Sequence, residues 1–183
     1  MAKAMTGSFY LTETVTIPAL TGAGVRITGS IDLGAYVNVA TGQAVAIESV
    51  DFVLQSGAAF SQTLNGYIVG DGSISMQLTD LNPGSAFVRA DNQSLIASGA
   101  LNIDDSANLG TETSDFYPDN FGPAALSEAF MVVNDTLYLT AGTSGAAVGA
   151  DDLFVTARIK CRIAKLSNKD FVAIAIQSTA SDN

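Results

Sequence analysis

The hydrophobic and polar positions of this chain alternate with a period of two over most of its length. Phe9, Leu11, Val15 and Ile17 fall on one face of an extended segment, with Tyr10, Thr12, Thr14 and Thr16 on the other. Pro18 cannot donate to a ladder and ends or bends that strand. Val25, Ile27, Ile31 and Leu33 alternate with Arg26, Thr28, Ser30 and Asp32, the pattern of a strand with one wet face, and Gly29 is expected to mark a bulge. Ala44 to Gln55 reads as a strand with Val50, Phe52 and Leu54 on one side and Ser49, Asp51, Val53 and Gln55 on the other. Ile74, Met76 and Leu78 form a further alternating set, closed by the Asn82-Pro83-Gly84 turn signal. A short strand is expected at Phe87 to Ala90, and Leu95 to Ile103 fits a strand or a helical turn.

The second half is less uniform. Residues 104–123 are acidic and turn-rich and predict a long loop, with Pro123 placed to begin one short helix. Phe130 to Val133 and Thr136 to Thr140 predict strands around an Asn134-Asp135 turn. Residues 141–152 are dominated by Gly, Ala, Ser and Thr and predict a mobile loop with little to bury. Beyond it lies the clearest strand, with Leu153, Val155, Ala157, Ile159, Cys161 and Ile163 on one face and Thr156, Arg158, Lys160 and Arg162 on the other. After a turn at Asn168-Lys169-Asp170, Phe171 to Gln177 predicts a final strand, with Ala173 and Ala175 forming a face of small side chains.

About eight strands without recurring helices between them define an all-β fold, a two-sheet antiparallel β-sandwich. No fixed-period repeat points to a propeller or solenoid. The expected organisation is a single domain over residues 1–183, with a short N-terminal arm at 1–7, an acidic loop at 104–123 and a Gly/Ala-rich loop at 141–152.

Composition narrows the chemistry. The 183 residues are 48% hydrophobic and 14% charged, which argues against disorder and fits one well-buried domain. With no His there is no imidazole base, no Ser-His-Asp or Cys-His pair and no His-containing zinc site, so an enzyme is not expected. Paired carboxylates remain the one catalytic route, yet a chain without Trp lacks the favoured sugar platform. The single Cys161 permits no intrachain disulfide. Neither a secretory signal nor an apolar run of membrane-spanning length is expected.

Charge is unevenly placed. The net charge is −10, yet Arg158, Lys160, Arg162, Lys165 and Lys169 are five of the eight cations. This row fits contact with an acidic neighbouring subunit, contact with genome phosphate, or a solvated strand edge protected by charge. Phe154 is the only aromatic near enough to stack on a base. Asp104, Asp105, Glu112, Asp115 and Asp119 offer the hard oxygen ligands that calcium takes, although their spacing matches no EF-hand, and solvated loop carboxylates are the favoured explanation. No other cofactor is expected. Glu13, on the apolar face of the first strand, requires an edge or interface location.

The layout of arm, strands, Gly/Ala-rich loop and strong terminal strands resembles the single-jelly-roll capsid proteins of icosahedral viruses. That resemblance covers nearly the whole chain. It implies a structural coat protein located in the virion that assembles with copies of itself and other virion proteins, without a small-molecule substrate. Many such proteins carry a basic arm for the genome, whereas only Lys3 precedes Arg26 here. The departure argues against genome condensation by a tail and fits a shell separated from its genome by an internal membrane or another protein, or else a decoration or spike component. An internal membrane or the genome stays among the expected partners. The alternative is a virion spike or fibre, or a lectin-like carbohydrate- or receptor-binding sandwich using Tyr67, Phe116, Tyr117 and Phe121.

Overall fold

The computed structural model describes residues 2–58, 64–113 and 129–180. One sheet is centred on β12 (Leu153–Lys165), which pairs on one side with β2 (Phe9–Ile17) and the short β1 (Lys3–Ala4). On its other side β12 pairs with β4 (Gln43–Ser56), and β4 with β9 (Phe130–Val132). The second sheet runs in the order β3 (Arg26–Asp32), β10 (Thr136–Ser144), β6 (Gly72–Thr79), β7 (Leu95–Asp104) and β8 (Leu109–Thr113). A small ladder joins β5 (Ile68–Val69), which follows the one-turn helix α1 (Leu64–Tyr67), to β11 (Ala147–Val148).

Counting β2, β3, β4, β6, β7, β9, β10 and β12 as first to eighth, the sheets read 1-8-3-6 and 2-7-4-5, and every pairing is antiparallel. This is the jelly-roll order, in which each sheet alternates strands from the two halves of the chain. The alternation seen in sequence sets the core. Leu153, Val155, Ala157, Ile159 and Cys161 of β12 face Leu137 and Leu139 of β10 and Ile74 and Leu78 of β6 in one buried cluster. Burying each Leu or Ile stabilises the fold by about 1.5–3 kcal/mol relative to exposure.

Several sequence expectations are corrected. The segment expected as a final strand is the helix α2 (Asn168–Ala180). Its apolar run satisfies both periods, and the start of the helix decides between them. Ser167 Oγ accepts from the Asp170 N–H at 3.2 Å, Ser167 O accepts from the Phe171 N–H at 2.9 Å, and Asp170 favours the positive end of the helix dipole. Phe171, Ile174 and Ala175 then pack at helical spacing with Ala44, Met131, Val133 and Leu166. The small-residue face expected at Ala173 and Ala175 is therefore divided between solvent and this cluster.

Within the acidic segment 104–123, residues 109–113 form β8 in register with β7, so this part is a hairpin and not a loop. Residues 114–123 and the helix start at Pro123 lie outside the described residues. Within 141–152, residues 141–144 continue β10 and 147–148 form β11. Small side chains are required there by close packing: a Cβ on Gly142 would collide with the Val25 carbonyl and the Arg26 side chain. Gly29 marks no bulge, since β3 and β10 stay in register through it. A Cβ there would lie 2.7 Å from Glu13 Oε1 and 2.8 Å from Val15 Cγ1, so Gly29 lets the sheet edges approach. Phe87 to Ala90 is not a strand; the Gln77 side chain holds it by accepting from Val88 N and donating to Val88 O, each at 2.9 Å.

Candidate functional site

The five-cation row of β12 and the start of α2 divides into two parts. The ladder between β4 and β12 slips once: Lys160 faces Ser49 and Cys161 faces Ile47, leaving Glu48 as the extra residue. Such a bulge re-aims a side chain. Glu48 is 5% exposed and is held by Arg162, through Nε and Nη2, and by Lys160 Nζ at 3.6 Å. Ser8 Oγ donates to Glu48 Oε2 at 2.9 Å and accepts from Arg162 Nη2 at 3.4 Å.

The N-terminal arm lies along this site. The Met5 N–H donates to Ile163 O at 2.8 Å, and the Ile163 N–H donates to Thr6 Oγ1 at 3.0 Å. Burial pushes the Glu48 carboxyl upward. The hydrogen bonds from Ser8 and Arg162, with the charges of Arg162 and Lys160, outweigh that push and hold it below its ordinary value. Lys160 and Arg162 thus brace the chain's own arm against its own bulge.

The other three cations face outward. Arg158 is exposed, opposite Thr12 on β2 and Asp51 on β4, with its guanidinium 5.6 Å from the Tyr10 ring centroid. Lys165 is exposed and directly opposite Lys3 on β1. Lys169 is exposed in the first turn of α2, beside Asp170.

Among the calcium candidates, Asp104 and Asp105 open the turn between β7 and β8. Asp104 Oδ1 accepts from Ser106 Oγ at 2.7 Å and from the Ala107 N–H at 2.9 Å, bonds that hold its carboxyl low. Asp71 Oδ1 accepts from the Asp105 N–H at 2.8 Å. Glu112 lies on β8, while Asp115 and Asp119 lie outside the described residues. No three His, Cys, Asp or Glu side chains converge on a metal position among the described residues.

Glu13 does lie on an edge strand, β2, half-buried beside Gly29, and burial raises its carboxyl. Tyr67 is 7% exposed within the core, which removes it as a sugar platform; Phe116, Tyr117 and Phe121 lie outside the described residues. Burial, reinforced by the Glu48 charge, pushes the Cys161 thiol up to about 12 and leaves it unreactive.

Two charged groups escaped the sequence reading. Glu48 is one, and a change of parity signals it: Val45 and Ile47 point inward at odd positions, Val50 and Phe52 at even ones. Asp80, 2% exposed beyond the end of β6, is the other. Its Oδ2 accepts from Asn134 Nδ2 at 3.2 Å, its own carbonyl accepts from the same amide at 3.0 Å, and Oδ1 has no partner. Burial raises its carboxyl to about 6. No sequence signal marks Asp80, which stands where the strand pattern ends.

This strand order and packing make the protein an all-β jelly-roll sandwich, the fold expected from the sequence layout. Neither a protein-family model nor a curated protein matches the sequence. Among solved structures, the chain is similar to VP1 of Trichodysplasia spinulosa-associated polyomavirus in complex with 3'-sialyllactose, at 8% identity and a TM-score of 0.45 over 90% of this chain and 98% of that one. The same VP1 in complex with GM1 oligosaccharide gives 11% identity and a TM-score of 0.40, covering 90% and 98%. A Mud Crab Dicistrovirus chain gives 14% identity and a TM-score of 0.38 over 88% of this chain and 70% of that one. No described helix is long and apolar enough to cross a membrane.

Proposed function

We propose that this protein is a structural subunit of a virion shell that assembles with copies of itself and with other virion proteins. The observation that carries this reading is the jelly-roll order, 1-8-3-6 over 2-7-4-5, with a buried apolar cluster shared by the two sheets. Its outer sheet faces and loop ends are thereby left for neighbours, and symmetric assembly needs such preformed faces and no catalytic group. The protein acts by docking and not by chemistry. Its location is the virion, and contact with an internal membrane or the genome is a secondary role of the same surfaces.

Docking draws on the outward cations, Lys165 without an ion pair among the described residues and Arg158 and Lys169 with their charge exposed beside Tyr10 and Asp170, because Lys160 and Arg162 are engaged by Glu48. Ion pairs between exposed groups are screened over about 8 Å at physiological ionic strength. Light scattering of the purified protein over a salt series tests this. Assembly should weaken as salt rises and should fall further in Arg158→Glu with Lys169→Glu. Assemblies indifferent to both changes would remove the electrostatic docking.

A further inference from the structure

Across the eight cations of the chain, most are already matched. Lys160 and Arg162 hold Glu48, and Arg89 pairs with Asp91 at 3.8 Å. Arg26 donates to Thr143 O at 2.6 Å and Ser144 Oγ at 2.8 Å and stacks over Phe87, and Arg158 stacks over Tyr10. Lys169 adjoins Asp170.

Lys3 and Lys165 remain. They are exposed, stand directly opposite each other across the β1–β12 ladder, and form no ion pair among the described residues. Like charges in that position destabilise a ladder. Protection of a sheet edge accounts for Lys3 on the outermost strand, but not for Lys165, which has β4 on its other side.

The other end of the sandwich is rich in aspartates, while Asp32 and Asp135 lie on the second sheet at the lysine end. β12 begins after Asp151 and Asp152, beside the ends of β2 and β4. The Gly24 N–H donates to Thr143 O at 2.8 Å and the Val148 N–H to Thr21 O at 2.9 Å, bringing the second sheet's ends to the same tip. Asp71, Asp104 and Asp105 lie on that sheet where β6 begins and β7 ends. None of these five aspartates is in an ion pair among the described residues. With 13 residues in β12, the two ends are about 40 Å apart.

We infer that the Lys3–Lys165 end of one copy docks on the aspartate tip of a second copy. This deepens the shell-subunit reading and rests on it. Copies carrying a net charge of −10 repel one another, and a contact joining lysines to aspartates that form no ion pair among the described residues opposes that repulsion where the chains meet. The contact is heterologous, head to tail, so it closes into rings or continues as an array.

Reciprocal charge reversal, followed by analytical ultracentrifugation at low salt, tests the contact. Lys3→Glu with Lys165→Glu, and separately Asp105→Lys with Asp151→Lys, should each lower self-association at least about tenfold. An equimolar mixture of the two variants should restore it. Unchanged thermal melts establish that both remain folded. Asp32→Lys with Asp135→Lys, which makes the same change in net charge as Asp105→Lys with Asp151→Lys but on the second sheet at the lysine end, should not lower self-association. Loss of association only in that variant would replace the head-to-tail contact with a pairing of like ends. If wild type associates and both reciprocal variants match it, the inference falls while the shell reading stands. If wild type and mixture stay monomeric at every concentration and salt, the shell reading falls as well.

Discussion

Arg162 grips Glu48 across the β4–β12 ladder at the single place where that ladder slips register. The ion pair and the bulge are one feature: without the extra residue, strict alternation would not set Glu48 beside both Lys160 and Arg162. Ser8 completes the cluster from the arm, so a local irregularity in one strand determines where the N-terminus lies.

Removing the carboxylate leaves two cations facing each other. Glu48→Gln should destabilise the fold by about 2 kcal/mol, less than for a fully buried pair because both cations keep some contact with water. Because the folded-state value of Glu48 is depressed, its contribution is present above the unfolded value and is lost as pH falls through the folded one. Urea unfolding of wild type and variant at neutral pH and at about pH 2 checks this. The gap between them should be present at neutral pH and closed in acid.

Asp80 works in the opposite direction. Its folded-state value, raised from 3.8 to about 6, makes the folded state bind the proton more tightly than the unfolded state does. Its contribution to stability is therefore fully present below about pH 4 and is lost as pH rises through about 6. Asp80→Asn keeps an oxygen for Asn134, carries no charge, and should abolish that loss. Melting temperatures between pH 4 and 8 should decline across this window in wild type more than in the variant.

Gly29→Ala should destabilise by about 1–3 kcal/mol, because the added Cβ enters space held by Glu13 and Val15. A double-mutant cycle with Glu13→Ala should show a coupling energy of about 1 kcal/mol, as expected for side chains in contact. Additive effects would place the strain elsewhere.

Ser167→Ala removes the side-chain cap of α2 and should cost about 1 kcal/mol. Circular dichroism and chemical unfolding measure the loss. Hydrogen exchange should show faster opening of the α2 amides, with little change in β12.

The sequence carried most of the sandwich because a strand with one dry face writes its burial directly into alternate positions, as β2, β6 and β12 do. It misled where two periods coincide. Phe171 to Ile176 can be drawn as strand or helix, and only the Ser167 cap and the contacts with Ala44 and Val133 select the helix. Small residues at 141–144 suggested mobility, whereas they fill a crowded ladder. The cation row was plain in sequence, but its division was not. That Lys160 and Arg162 turn to Glu48 depends on a one-residue slip whose trace is the parity change between Ile47 and Val50.

Electron microscopy of the purified full chain at low and high salt bears most directly on the central claim that this protein is a self-assembling shell subunit. Closed shells or regular arrays at low salt, dispersing as salt rises, are the expected result. Monodisperse single particles under every condition, including high protein concentration, would contradict it.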